Sequence, residues 1–238
     1  MKNLVGLIQA RMGSKRLPGK VMKPLADKPL VGHIYQRLVA CSQIKTVVLA
    51  TTQDPLNNSL VDYCIDLGMK VYRDPNEDDI ASRLYNSAKF VNADAVLKVN
   101  ADCPLIDPQI LQQLILGYYS DDSLDYISNK IKWTLPEGYS AEIISYNALK
   151  WCASNLKNKV DRELVANWIK DNQERFKQLS IESEYEADTY FHSCCIDTFN
   201  DYELLSKMFG ELYLKDELFG WPLVRTWLLK SKKLYSEL

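Results

Sequence analysis

The stretch IQARMGSKRLPGK, residues 8–20, begins at the end of an apolar run and turns into a loop rich in positive charge. The loop contains two glycines, a proline and four cations: Gly13, Gly19, Pro18, Arg11, Lys15, Arg16 and Lys20. An apolar strand that ends in such a loop and precedes a helical pattern is typical of the first unit of an open α/β sheet. Ligands bind these sheets at the carboxyl ends of the strands, so the stretch predicts both a fold class and a site.

Strand-like and helix-like segments alternate through the first half of the chain. Dense apolar runs predict buried strands, and apolar residues at helical spacing predict helices. The predicted strands are Leu4–Ala10, Lys45–Thr51 and Ala93–Asn100, and the predicted helices are Pro29–Cys41, Leu56–Leu67 and Asp78–Phe90. Strands and helices in this order form right-handed βαβ units, so we expect a Rossmann-like α/β fold with a central sheet flanked by helices.

The alternation loosens in the second half. The patterns there predict helices over Pro108–Tyr119, Val160–Ile169, Asn200–Phe209 and Trp221–Leu229, and strands over Leu124–Asn129, Ala141–Tyr146, Gln178–Ile181 and His192–Ile196. No repeat and no linker rich in proline, glycine or serine divides the chain. We therefore expect one domain, residues 1–238, in which residues 121–199 form a small β-rich lobe and residues 200–238 form C-terminal helices.

Composition excludes several classes of protein. The chain has 238 residues, of which 47% are hydrophobic and 25% charged, as in ordinary globular proteins. Its 29 Lys and Arg against 31 Asp and Glu give a net charge of −2, so no overall positive field attracts nucleic acid or an anionic membrane. No apolar run is long enough to span a bilayer and the first residues do not resemble a signal peptide, so we expect a cytoplasmic protein.

The six cysteines do not form a recognisable motif. They are scattered along the chain without a CxxC pair: Cys41, Cys64, Cys103, Cys152, Cys194 and Cys195. This spacing argues against both a disulfide framework and a zinc knuckle. We expect most of these side chains to be buried, inert thiols.

The basic loop is a candidate phosphate site. Its glycines allow a tight turn that brings backbone N–H groups near a ligand. Arg11 and Lys20, at its two ends, have the charge and geometry to hold a triphosphate. The alternative is a solvated basic turn. Five residues separate Gly13 from Gly19 and Val21 follows Lys20, so the loop is not a P-loop, and the chain contains no G-x-G-x-x-G motif.

Two aspartates are candidate metal ligands. Asp102 follows the predicted strand over residues 93–100, and Asp197 ends the predicted strand over residues 192–196. Carboxylates from two strands that meet near bound phosphates are a common way to hold Mg²⁺. Each has an alternative role, since Asp102 precedes a proline-rich turn and Asp197 is in position to cap the following helix.

Three segments resemble one known family. They are IQARMGSKRLPGKVMKPLADKPLVGHIYQRL, RDPNEDDIASRLY and ADCPLIDP. Each is similar to the cytidylyltransferase group that contains the spore-coat polysaccharide biosynthesis protein F family, the CMP-Kdo synthetases and the acylneuraminate cytidylyltransferases. The resemblance implies a nucleotide-diphospho-sugar transferase fold, the ligands CTP and Mg²⁺, and a homodimer. It also implies that residues 1–120 bind the nucleotide and that residues 121–199 form the acceptor site and the dimer contact.

The resemblance assigns roles residue by residue. Arg11, Lys20, Asp102 and Asp197 match the catalytic positions, and the two aspartates match the metal ligands. The residues that match nucleotide-binding positions are Ala10, Arg11, Gly13, Ser14, Lys20, Arg73, Ser82 and Arg83. Among these, Arg73 matches a position beside the cytosine, and Ser82 and Arg83 match positions near the base or ribose. Without the resemblance, Arg73 would be read as a surface residue after a short edge strand.

The acceptor half departs from the family pattern. Ala101 replaces a glycine before Asp102, Ser140 replaces an acidic residue, and Leu164 replaces a histidine. Possible acceptor contacts are Glu142, Arg162 and Glu163. As alternatives, Glu142 lies on the outer face of a strand, and Arg162 and Glu163 lie on the solvated side of a helix.

We expect Mg²⁺-dependent transfer of CMP from CTP to a sugar acid of the nonulosonic or 2-keto-3-deoxy type, with release of pyrophosphate, for surface polysaccharide biosynthesis. No nucleic acid or membrane partner is expected. Two alternatives stay open. One is a nucleotidyltransferase that uses another nucleoside triphosphate or a phosphorylated acceptor, and the other is a non-catalytic nucleotide-binding partner with the same fold.

Overall fold

A seven-stranded mixed sheet forms the centre of the molecule in the computed structural model, which describes residues 2–183 and 193–236. The strands are β1 (Leu4–Gln9), β2 (Pro24–Leu25), β3 (Lys28–Pro29), β4 (Val47–Thr52), β5 (Lys70–Asp74), β6 (Ala95–Asn100), β7 (Tyr126–Ser128), β8 (Glu142–Ser145) and β9 (Gln178–Ser180). Their order in the sheet is β5-β4-β1-β6-β8-β7-β9, and β2 and β3 form a separate hairpin. Strands β5, β4, β1 and β6 are parallel, which is the arrangement that the alternating pattern predicts.

Helices cover both faces of this sheet. They are α1 (Leu30–Val39), α2 (Asn58–Asp66), α3 (Ile80–Phe90), α4 (Pro108–Tyr119), α5 (Tyr146–Asn155), α6 (Lys159–Glu163), α7 (Val165–Asp171), α8 (Phe199–Leu212) and α9 (Trp221–Ser236). Alternate residues of β1 face opposite layers, so that Leu4 and Ile8 pack with α1, α4 and α8 while Val5 and Leu7 pack with α3 and α5. No helix in the described ranges is both long and apolar enough to cross a membrane.

The strands of residues 121–199 extend the central sheet. Strand β8 pairs antiparallel with β6, from Ala95 opposite Ser145 to Lys98 opposite Glu142. Strand β7 pairs antiparallel with β8 and parallel with β9. The second half of the chain therefore meets the first half along β6, the strand that precedes Asp102.

Two predicted elements of the second half differ from the structure. The predicted helix over residues 160–169 is two short helices, α6 and α7. Leu164, between them, has φ −103° and ψ 35°, which is not a helical conformation. The strand predicted over residues 192–196 is wrong in its described part. Ser193 makes an isolated bridge to Glu137, and the Ile196 N–H then bonds to the Asp102 carbonyl instead of continuing that pairing. His192 lies outside the described residues.

Candidate active site

The basic loop is held in shape by its own backbone. The Met12 N–H donates to the side-chain oxygen of buried Asn57 at 2.8 Å, which ties the start of the loop to the short 3₁₀ helix Pro55–Asn57 that follows β4. Gly19 has a φ of +69°, a conformation that favours glycine, and its N–H donates to the Met12 carbonyl at 3.0 Å. The closed loop leads directly into a short 3₁₀ helix, Lys20–Met22, whose first residue turns its side chain inward.

Lys20 lies between the two predicted metal-binding aspartates. Its ammonium nitrogen is 2.9 Å from Asp102 Oδ2 and 2.9 Å from Asp197 Oδ1, and it also donates to the Ile196 carbonyl at 2.8 Å. Burial would lower the pKa of Lys20, but the two carboxylates outweigh it and hold the pKa above its usual value. The basic loop and both aspartates therefore meet at a single point.

Asp197 is free to face Lys20 because its neighbours cap the helix. The Thr198 side chain accepts from the Asp201 N–H, and the Asp201 carboxylate accepts from the Thr198 N–H, so these residues form the capping box of α8. Burial would raise the pKa of Asp197, but Lys20 and then Arg16, at 2.9 Å, lower it. The alternative reading of Asp197 as the helix cap is therefore replaced by an ion-pair role.

Backbone contacts bring the Asp197 segment to the Asp102 turn. The Ile196 N–H donates to the Asp102 carbonyl at 2.8 Å, and the Cys194 N–H donates to the Glu137 carbonyl at 2.6 Å. Gly138, with a φ of +106°, lies so close to Cys194 that a Cβ atom there would be 2.7 Å from the Cys194 carbonyl carbon. These contacts place Asp197 without the strand that the sequence predicts.

The four predicted catalytic residues line one open cleft of about 360 Å³. Its lining includes Ala10, Arg11, Gly13, Ser14, Lys20, Asp102 and Asp197. Arg11 forms an ion pair with Glu77, and both side chains are about half exposed. The cleft thus has the cations of the basic loop in direct contact with the two carboxylates, a set of charges that suits a phosphate chain together with a cation.

The donor set fits a hard divalent cation. Asp102 and Asp197 each place an oxygen within 2.9 Å of one nitrogen, so the carboxylates are close enough to share a single positive charge. Carboxylate oxygens are the ligands that Mg²⁺ prefers, with waters and substrate oxygens completing its shell. Lys20 provides the positive charge between these carboxylates in the structure.

Three other residues predicted to bind the nucleotide make contacts within the protein. Arg73 donates to the carbonyls of Thr52, Gln53 and Asp54, and it is not among the described residues that line the cleft. Arg83 is buried and donates to the carbonyls of Asn76 and Glu77. The Ser82 hydroxyl accepts from Arg162 at 2.8 Å. Arg83 also lines a recess that adjoins the cleft at Arg11.

A second recess of about 200 Å³ adjoins the cleft at Gln9 and Asn100. Its polar lining is Gln9, Lys98, Asn100, Lys130, Glu142, Glu163 and Asn167, and Leu164 also lines it. Glu142 is buried, and its two oxygens accept from Lys98 and from the Tyr126 hydroxyl, each at 2.7 Å. Burial would raise the pKa of Glu142, but Lys98 outweighs it and the pKa is lowered. This places Glu142 on the inner wall of a recess rather than on an outer strand face.

Sequence reasoning missed Lys98 and Lys130. Lys98 stands in the buried strand AVLKVN, and a charged residue in such a strand requires a partner. The sequence therefore indicates that Lys98 has a partner. It does not identify Glu142 as that partner, because the pairing depends on the register between β6 and β8.

Arg162 holds the loop before α3 to the helix α6. It donates to both oxygens of Asp79, at 3.1 and 2.6 Å, and to the carbonyls of Ala153 and Leu156 at 3.0 and 2.7 Å. Arg162 is not among the described residues that line the second recess, whereas its neighbour Glu163 is. Its guanidinium is therefore used within the protein.

We expect Arg162→Ala to lower the free energy of unfolding at pH 7 by about 2–3 kcal/mol, because it leaves a mostly buried carboxylate unpaired. Burial would raise the pKa of Asp79, but Arg162 and Ser82 outweigh it and the pKa is lowered. Such a group stabilises the fold above its unfolded pKa of about 4 and loses this contribution as pH falls through its folded pKa. The free energy of unfolding, measured with urea, should fall less between pH 7 and pH 3 in Arg162→Ala than in the wild type.

The matched control is Lys159→Ala. Lys159 pairs with the neighbouring Asp78, but both side chains are more than half exposed, so the substitution should leave the free energy of unfolding close to that of the wild type. Equal costs for the two variants would contradict a structural role for Arg162.

Known proteins identify the family of this chain. The sequence profile of the family described as Cytidylyltransferase matches residues 5–219. The chain belongs to the cytidylyltransferase family. Over 201 residues it is 31% identical to an uncharacterized protein of Methanocaldococcus jannaschii, and the match covers 84% of this chain and 81% of that protein. Over 216 residues it is 26% identical to the spore coat polysaccharide biosynthesis protein SpsF of Bacillus subtilis, with coverage of 88% and 87%.

A solved cytidylyltransferase structure has the same architecture. The protein from Leptospira borgpetersenii serovar Hardjo-bovis superimposes with a TM-score of 0.87 at 28% identity, and the match covers 99% of this chain and 96% of that one. The predicted family and the predicted nucleotide-diphospho-sugar transferase fold are thereby confirmed. The chain is accordingly a member of a nucleotidyltransferase family.

Proposed function

We propose that this cytidylyltransferase transfers CMP from CTP to a sugar acid in a Mg²⁺-dependent reaction that releases pyrophosphate. The observation that carries the proposal is the meeting of Lys20 with Asp102 and Asp197 in a cleft lined by the basic loop. A hydroxyl of the acceptor attacks the α-phosphorus of CTP, and the bond to the bridging oxygen of pyrophosphate breaks. Such transfer depends on positioning and charge neutralisation more than on covalent catalysis.

The loop residues hold the leaving group. Arg11 and Lys20 neutralise the β- and γ-phosphates, and the loop around Gly13 and Ser14 supplies N–H donors. Asp102 and Asp197 hold the Mg²⁺, which polarises the α-phosphate when bound. In the structure Lys20 is charged and paired with both carboxylates, so it exchanges these partners for phosphate oxygens when the triphosphate and Mg²⁺ bind.

The second recess receives the acceptor. It adjoins the cleft at Gln9 and Asn100, so a molecule in it lies next to the triphosphate. Lys130 and the Lys98–Glu142 pair provide charge and hydrogen bonds that suit a carboxylate with several hydroxyls. Glu163 contributes from the opposite wall, and Arg162 supports that wall through Asp79. Leu164 takes the place of a histidine in this wall, which points to an acceptor that differs from those of the spore-coat relatives.

The likeness to CMP-Kdo synthetases and acylneuraminate cytidylyltransferases favours a 2-keto-3-deoxy or nonulosonic acid as this acceptor. The product would serve surface polysaccharide biosynthesis. We further propose that the protein acts as a homodimer in the cytoplasm.

The test has two parts. With Mg²⁺ present, CTP should raise the melting temperature more than ATP, GTP or UTP, because only a ligand that binds the folded state stabilises it. Pyrophosphate release should then require both CTP and a sugar acid from a panel of 2-keto-3-deoxy and nonulosonic acids. Preference for another nucleotide, or release only with a phosphorylated acceptor, would identify a different transferase. CTP binding without transfer to any acceptor would favour a non-catalytic partner.

A further inference from the structure

Two cysteines that are far apart in sequence meet behind the aspartate pair. Cys103 Sγ and Cys195 Sγ are 3.2 Å apart, although 92 residues separate them. Both residues are buried, with exposed fractions of 4% and 6%. Cys103 Sγ also lies 3.4 Å from Asp102 Oδ1, and the three ligand atoms of Asp102, Cys103 and Cys195 all lie within 4.8 Å of one another. This is a compact group of two thiols and one carboxylate oxygen.

The carboxylate of Asp102 faces two different environments. Its Oδ2 accepts from Lys20 in the nucleotide cleft, and its Oδ1 is directed to the thiol of Cys103. The cluster of Asp102, Cys103 and Cys195 is therefore distinct from the Lys20 site, but both sites include Asp102. Asp102 is about 29% exposed and lines the cleft, whereas Cys103 and Cys195 are not among the described residues that line it.

We propose that Asp102, Cys103 and Cys195 form a binding site for Zn²⁺ or a similarly thiophilic divalent cation. Zinc binds thiolate sulfur at about 2.3 Å and carboxylate oxygen at about 2.0–2.2 Å in a tetrahedral arrangement. These bond lengths require donor atoms roughly 3.5–3.8 Å apart. The observed separations of 3.2 Å between the two sulfur atoms and 3.4 Å between Cys103 Sγ and Asp102 Oδ1 are slightly shorter than this, and the third separation in the group is at most 4.8 Å. A water molecule completes the fourth position.

The chemistry of the ligands separates this site from the Mg²⁺ site. Thiolates select zinc and other soft cations, whereas Mg²⁺ is held by oxygen. Binding replaces the two thiol protons, so that Zn²⁺ and two thiols give a zinc dithiolate and two protons without oxidation. Oδ1 of Asp102 is then a ligand of zinc. Because zinc neutralises part of the charge of this carboxylate, the carboxylate binds a second cation less strongly. Zinc in this site should therefore weaken the binding of Mg²⁺ in the cleft.

The experiment measures zinc binding directly. The protein is first reduced with a phosphine, and reduction is complete when all six thiols of a denatured sample react with a thiol reagent. The reduced, folded protein is then titrated with ZnCl₂ in competition with a chromophoric chelator. The wild type should bind one Zn²⁺ tightly. Cys103→Ala and Cys195→Ala each remove a direct ligand, so they should weaken this binding by more than the roughly 10–100-fold that loss of an outer-shell partner costs. The control is Cys194→Ala, which removes a buried thiol next to Cys195 that is outside the group and should leave the affinity unchanged.

Cobalt provides a second readout that does not depend on activity. Co²⁺ in the wild-type site should show thiolate charge-transfer absorption, which should disappear in Cys103→Ala and Cys195→Ala and persist in Cys194→Ala. If an alanine variant unfolds, the corresponding serine variants replace it in both measurements. Absence of tight zinc binding by the reduced wild type, or equal affinity in wild type and both cysteine variants, would overturn the proposal. Neither measurement requires nucleotide or acceptor, so failure of the proposed transfer reaction is a separate result.

Discussion

Asp102→Asn should lower kcat for pyrophosphate release by about 10³-fold, since it removes a charge that acts on the transition state. The substitution keeps the shape of the side chain and one oxygen, but loses the negative charge that Asp102 offers to Lys20 and to a cation. Lys20 keeps Asp197 and the Ile196 carbonyl as partners, so the fold should survive. Steady-state kinetics with CTP and the acceptor, together with thermal unfolding, separate loss of catalysis from loss of structure.

The matched control for this variant is Asp66→Asn. Asp66 is exposed at the end of α2 and is not among the residues that line the cleft, so the same change of charge there should leave kcat within about twofold of the wild type. Turnover by Asp102→Asn at the wild-type rate would exclude the proposed metal role. A fall in KM with kcat unchanged would equally contradict it, because the proposal concerns a charge that acts in the transition state.

Lys20→Met should have the second large effect, on binding. Loss of a charge-assisted contact to the triphosphate is expected to weaken the binding of CTP by about 100-fold, measured by calorimetry in the presence of Mg²⁺. The same change removes the cation that lies between Asp102 and Asp197, and Arg16, at 2.9 Å from Asp197, remains beside the pair. The free energy of unfolding without Mg²⁺ should therefore fall by about 3 kcal/mol.

The response of the melting temperature to Mg²⁺ should also distinguish Lys20→Met. Added Mg²⁺ should raise the melting temperature of the variant more than that of the wild type, because the ion supplies the positive charge that the ammonium no longer provides. Lys45→Met, which removes an exposed lysine before β4, is the control and should change neither CTP affinity nor the response to Mg²⁺. Unchanged CTP affinity in Lys20→Met would contradict the phosphate role of the loop, and an unchanged response to Mg²⁺ would contradict the shared site.

Local features of the chain were readable without coordinates. The parallel strands, most helices and the bent basic loop follow from hydrophobic spacing and from the positions of glycine and proline, which act over a few residues. The predicted single helix over residues 160–169 is wrong for a local reason, since the apolar spacing continues across Leu164 although the helical backbone is interrupted there. Asp102 was identified because it follows a buried strand whose end is fixed by the sheet.

Contacts between distant segments could not be read in this way. The sequence leaves two roles for Asp197, and the capping box of Thr198 and Asp201 and the contact of Ile196 with Asp102 decide between them. The partner of Lys98 depends on strand register, and the meeting of Cys103 with Cys195 depends on how two loops pack. Periodicity and turn chemistry describe neighbours along the chain, whereas these contacts result from burial and backbone hydrogen bonds between segments that have no fixed spacing in the sequence.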